Sequence, residues 1–133
     1  MIRVVIVEDD RVNALLFRTL VERRLPGEAH VTESAQDVID RATSGLADVV
    51  LMDVALGNTF WEERPVNGVE LTRLLKADPR SAHVPVILVT AHARHGDAER
   101  LVAQSGADGY ASKPLTDIAA FLAQIRALAS RAA

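Results

Sequence analysis

Three stretches of the chain are apolar on every position rather than on alternate ones: Val4-Val5-Ile6-Val7, Val49-Val50-Leu51-Met52 and Val86-Ile87-Leu88-Val89. Short runs rich in β-branched residues, with no polar face, fit strands covered on both sides, as in a parallel sheet. Residues 29–33 and 109–112 are weaker strand candidates. Between these stretches apolar positions recur at helical spacing: Ala14, Phe17, Leu20 and Val21; Val38, Ile39 and Ala42; Ala98, Leu101, Val102 and Ser105; and Ile118, Phe121, Leu122, Ile125 and Leu128. Ser34 stands where a cap would open the second helix, and Gly45 and Gly106 stand where helices should stop. Pro26-Gly27 and Asp78-Pro79 mark turns. Strand and helix alternate throughout, which predicts an α/β domain: a doubly wound parallel (βα)5 sheet with helices on both faces, since crossovers are right-handed. The common strand order for such a sheet, 2-1-3-4-5, makes the first and third strands neighbours at the switch point.

Two of the apolar runs end in acid. Val7 is followed by Glu8-Asp9-Asp10, and Met52 by Asp53. The expected topology brings Glu8, Asp9 and Asp53 together at the carboxyl edge of the sheet, where open α/β sheets bind ligands. Carboxylates gathered at a buried edge repel one another unless a cation or a proton relieves them. Hard oxygen donors suit Mg²⁺, which takes one or two protein carboxylates, waters and a phosphate. Asp10 is expected in the first turn of the following helix, complementing its dipole. Thr90 ends the fourth strand and can offer a hydroxyl at the same edge. Lys113 follows the fifth strand, precedes Pro114, and supplies the opposite charge there.

Composition narrows the class. A chain of 133 residues, 49% hydrophobic and 25% charged, is the size and make-up of a single globular domain. Net charge is -3, which speaks against a general nucleic-acid surface, and the absence of cysteine removes disulfide and thiolate chemistry. The first apolar run is far too short for a signal-peptide core or a membrane span, so a cytoplasmic location without membrane or direct nucleic-acid contact is expected.

Taken together and in order, Val7-Glu8-Asp9-Asp10, Leu51-Met52-Asp53, Val89-Thr90-Ala91 and Lys113-Pro114 resemble the receiver domain of two-component response regulators over nearly the whole chain. The resemblance implies a flavodoxin-like fold and an aspartyl phosphate at Asp53, donated by a partner's phosphohistidine in a sensor histidine kinase or a phosphotransfer protein. It implies Mg²⁺ held by Glu8, Asp9, Asp53 and the backbone carbonyl of Ala55. It also casts Lys113 as the phosphate-contacting lysine, Thr90 as the switch hydroxyl and Tyr110 as the rotating aromatic, with a cis bond before Pro114. Catalysis would be limited to self-phosphorylation from a phosphodonor and autodephosphorylation, because the ionised Asp53 is already a nucleophile and charge neutralisation supplies the rest. The expected organisation is one receiver domain over residues 1–133 with no output domain. Output would then pass by protein contact, through the face of the fourth helix, fifth strand and fifth helix, to a downstream target or a homodimer.

Two other classes compete. A phosphatase using an aspartyl phosphate usually carries a second acid two residues on, and Asp53-Val54-Ala55 lacks it. A binding-only pseudo-receiver would lack one of the acids, Thr90 or Lys113, and all are present. The pattern departs from the family after the third strand: residues 58–66 intervene between Leu56-Gly57 and Asn67-Gly68, and they include Phe60 and Trp61. Such a loop beside a pocket is either a lid or partner anchor, or a segment whose aromatics pin it to its own domain. The resemblance implies that Ala55 and His92, each two positions after a site residue, bear on dephosphorylation rate. His30, His83 and His95 show no metal-ligand spacing and are expected at the surface.

Overall fold

In a computed structural model, described over residues 1–91 and 96–132, the expected order of elements is present with one addition. The elements are β1 (Ile2–Val7), α1 (Arg11–Arg24), β2 (Gly27–Thr32), α2 (Ala35–Thr43), β3 (Val49–Asp53), β4 (Phe60–Trp61), β5 (Arg64–Pro65), α3 (Gly68–Ala77), β6 (Val86–Thr90), α4 (Asp97–Ser105), β7 (Gly109–Ser112) and α5 (Ile118–Ala132). The main sheet is parallel, in the order β2-β1-β3-β6-β7. With the small β4–β5 hairpin set aside, this is the order 2-1-3-4-5, the flavodoxin-like arrangement.

Strand alternation explains why both faces are covered. On β1, Val4 and Ile6 join Phe17, Leu20, Phe121 and Ile125 beneath α1 and α5, where the Phe17 and Phe121 rings lie 5.7 Å apart. Val5 and Val7 point the other way, into a second core with Val38, Leu71 and Leu75 of α2 and α3. Every residue of β3 and β6 is buried, so an interior strand needs no polar face. The stripe expected on α5 holds from Phe121 to Leu128, but Ile118 at its start is exposed.

Local signals set the ends. The Ser34 Oγ accepts from the Asp37 amide, and Gly45 and Gly106 have φ of 79° and 81°, the left-handed conformation that stops a helix without Cβ strain. Asp10 is the N-cap of α1 rather than part of its first turn: its Oδ1 accepts from the amides of Val12 and Asn13. β2 begins earlier than expected, at Gly27 instead of Ala29, because a residue there lies against the backbone of β1. A Cβ at Gly27 would stand 2.9 Å from the Ile2 carbonyl oxygen.

Candidate functional site

The carboxyl ends of β1 and β3 deliver Glu8, Asp9 and Asp53 to one place, with carboxylate oxygens within 4.8 Å of one another. Glu8 and Asp53 are each only 4% exposed, which separates this group from an ordinary acidic surface patch. Lys113, at the end of β7, brings its Nζ to 3.2 Å from both Glu8 Oε2 and Asp53 Oδ1. The bond from Lys113 to Pro114 is cis, as the family resemblance implies. The Lys113 amide donates to the Thr90 carbonyl, fastening the ends of β6 and β7 together. Asp53, Val54, Ala55, Thr90, Ala91 and Lys113 line a small cavity of about 50 Å³ at this edge.

Charge in the cluster is not evenly shared. Burial, followed by the hydrogen bond it makes with Asp53, pushes the Glu8 carboxyl up to about 7. Burial acts against the Lys113 ammonium, and the carboxylates of Asp53 and Glu8 more than offset it, so its pKa stands above the ordinary lysine value. Backbone amides also bond each carboxylate, at Asp53 on the oxygen that Lys113 contacts. Ala55 N donates to Asp53 Oδ1 at 3.1 Å, Asp10 N to Glu8 Oε1 at 3.2 Å, and Gly57 N to Asp9 Oδ2 at 2.9 Å. Three carboxylates with their oxygens turned to one point, and no sulfur or imidazole among them, are a donor set that fits Mg²⁺.

The two glycines that flank the insertion, Gly57 and Gly68, both bear on the site. Gly57 supplies the amide on Asp9. At Gly68 a Cβ would lie 2.1 Å from the Asp53 carbonyl oxygen, so α3 can begin against the end of β3 only because its first residue has no side chain. Its amide donates to the Val54 carbonyl, and Asn67 caps the helix in a reciprocal box with Glu70. The Asn67-Gly68 pair was the available signal: a cap followed by a close approach.

Of the residues assigned by resemblance, Tyr110 lies away from the pocket. It is exposed, and its hydroxyl donates to Glu99 Oε1 of α4 at 3.0 Å. His30 is not a plain surface residue, being half-buried with Nε2 2.7 Å from Asp37 Oδ2. His83 is exposed, while His92 and His95 lie outside the described residues.

Residues 58–66 fold into a feature that the sequence pattern did not reveal, a two-stranded antiparallel hairpin. Phe60 pairs with Pro65 and Trp61 with Arg64 across a turn at Glu62 and Glu63, whose φ values are 51° and 67°. At its base Thr59 is buried and donates to the Glu33 carbonyl at 2.8 Å, and the Val66 amide donates to the Thr59 carbonyl. Trp61 packs against the α2–α3 core, whereas Phe60 is 56% exposed.

Fold and pocket together define a doubly wound α/β domain with an acidic, lysine-countered edge. The response regulator receiver domain model matches residues 4–126, and the chain belongs to that family. It is 41% identical over 113 residues to the polar-differentiation response regulator DivK of Brucella ovis, covering 85% of each chain, and 40% identical over the same length to that of Brucella anthropi. Among solved structures it resembles a Francisella response regulator receiver domain, with a TM-score of 0.80 at 18% identity over the whole of both chains. It also resembles the receiver domain of a Pseudomonas aeruginosa sensor histidine kinase, with a TM-score of 0.78 at 24% identity over 96% of this chain and 97% of that one. The latter structure has a magnesium ion coordinated in its active-site cleft. The chain is thus a receiver domain of two-component signalling, a family whose members interact with histidine kinases and downstream targets. Among the described residues no helix is long and apolar enough to cross a membrane.

Proposed function

We propose that Asp53 is the phosphoacceptor of this receiver, taking a phosphoryl group from the phosphohistidine of a histidine kinase or phosphotransfer protein. The observation that carries this reading is the pairing of a nearly buried Asp53 with Lys113 at 3.2 Å, beside two further carboxylates. In the transfer, Asp53 Oδ forms the new bond to phosphorus while the donor's N–P bond breaks and its electron pair returns to the imidazole. No general base is needed, because the attacking carboxylate carries no proton. Glu8, Asp9, Asp53 and the Ala55 carbonyl would hold Mg²⁺, which when bound supplies positive charge to the transferring phosphoryl oxygens. Lys113 neutralises the same charge from the opposite side. The position two residues after Asp53 presents only a methyl group, so acid–base turnover of a separate phosphate ester has no side chain to run on.

Output would follow from a local change at Thr90. When its hydroxyl bonds the new phosphate, Tyr110 leaves Glu99 and turns inward, altering the face of α4, β7 and α5 that meets a target or a second copy. The test of the chemistry is labelling by acetyl phosphate in Mg²⁺. Wild type should be labelled and Asp53→Asn should not; stoichiometric, acid-stable labelling of the variant would overturn the assignment.

A further inference from the structure

The hairpin at residues 59–66 is held in place without being optimised for stability. Its base is fixed by buried Thr59 and Val66 and by half-buried Trp61, so the strands are presented rather than left free. Its turn places two glutamates in the left-handed region, where Asn-Gly is the favoured pair and a residue with a Cβ is strained. Strand alternation then sends Phe60 and Pro65 to the face opposite Trp61, and both are exposed. A single exposed apolar side chain is unremarkable on most surfaces. An exposed aromatic on a strained, anchored projection beside a reaction pocket is a different observation.

Distance decides what could cover it. Phe60 lies three residues from Gly57, so their Cα atoms are at most about 11 Å apart. The Gly57 amide is itself 2.9 Å from the Asp9 carboxylate. A protein that delivers a phosphoryl group to Asp53 must seat over this same edge, since Asp53 is only 4% exposed. A standard interface covers about 800 Å² of each partner, a disc of roughly 16 Å radius. Centred on the pocket, that disc covers the Gly57 end of the inserted segment and extends toward the hairpin.

We propose that Phe60, with Pro65 across the hairpin, is a contact surface for the phosphodonor protein, which meets it with an aliphatic or aromatic side chain. The proposal rests on the reading of Asp53 as phosphoacceptor. It assigns the inserted segment to partner selection, with no part in the chemistry.

The test separates the two. Wild type, Phe60→Ala, Phe60→Asp and Leu46→Ala are compared with two donors: acetyl phosphate, and autophosphorylated histidine kinases of the source organism screened as a panel, the fastest being used. Leu46 serves as a control because it is an exposed apolar residue before the start of β3, at the end of the sheet away from Asp53. Both Phe60 variants should be labelled by acetyl phosphate at the wild-type rate, which also shows that they fold. Their kcat/KM for transfer from the kinase should fall about tenfold or more, as for an interfacial aromatic anchor, with Leu46→Ala unchanged. Transfer to Phe60→Asp at the wild-type rate would overturn the proposal. So would loss of a dimer or of a downstream target alone, which would give the patch to that occupant. Failure of acetyl phosphate to label wild type would instead overturn the reading of Asp53, and labelling by acetyl phosphate with neither a kinase nor a phosphorylated phosphotransfer protein active as donor would reject a protein donor.

Discussion

The acidic pocket and the hairpin leave the same strand end, yet they are built on opposite terms. In the pocket each side chain is fixed by several others: Lys113 bridges Glu8 and Asp53, and backbone amides orient each of the three carboxylates. The hairpin is secured at its base, and beyond that its strands pair with each other, Phe60 with Pro65 and Trp61 with Arg64. Buried charge tolerates no rearrangement, because an unpaired partner keeps its full desolvation cost. The hairpin can change its exposed residues with little consequence for folding. One region is held from many directions, and the other from its base alone.

The contrast is sharpest at Gly68, where the two regions meet. Gly68→Ala should destabilise the domain by about 3 kcal/mol, measured by urea unfolding, because the added Cβ meets the backbone of Asp53 rather than a side chain that can move. An unchanged midpoint would show that α3 can slide from the pocket without cost.

A smaller effect is expected from Glu8→Gln in chelator. The folded-state pKa of Glu8 is raised to about 7, so the native protein binds more protons than the unfolded chain. Its contribution is therefore fully present below the unfolded value near 4.5 and is lost as pH rises through 7. At pH 8 the glutamine variant should be more stable than wild type by on the order of 2 kcal/mol, with the difference vanishing toward pH 5. Parallel stability curves across that range would contradict the raised carboxyl.

The smallest effect belongs to the hairpin turn. Replacing Glu62 by Asn and Glu63 by Gly should raise stability by about 1 kcal/mol, since the new pair adopts the left-handed turn without strain. Thermal unfolding measures it. A loss of stability would mean that the glutamates make interactions that outweigh the backbone cost, and the division between a fixed pocket and an unoptimised hairpin would fail there.

How much of this could be seen in the sequence follows the same division. Most of the pocket was legible because Glu8, Asp53 and Thr90 end apolar runs: burial on both faces announces the strand, and the first acid or hydroxyl marks the edge, whereas Lys113 follows the weaker strand at 109–112. Topology did the rest by making the first and third strands neighbours. What it could not supply was conformation within the edge. The Tyr110 hydroxyl on Glu99, the Asp10 cap and the Gly57 amide on Asp9 depend on rotamers and turns that leave no periodicity. The hairpin was illegible for a related reason. Its strands, Phe60–Trp61 and Arg64–Pro65, are too short for alternation to show as a sequence pattern, and Glu62-Glu63 is a poor turn signal where Asn-Gly would have been a strong one. The departure from the family pattern marked its position but not its form.

Gly57 and Gly68 bracket the inserted segment, and each is fastened to the site, one through its amide to Asp9 and the other by close approach to Asp53. The chain between them is therefore a cassette clipped at both ends to parts that cannot move. A change of its length or exposed residues would leave the Gly57 amide on Asp9 and the Gly68 approach to Asp53 to be made by residues outside it. In a fold whose chemistry is common to a family, that is a place where a single insertion could rewire a connection without touching the catalytic parts.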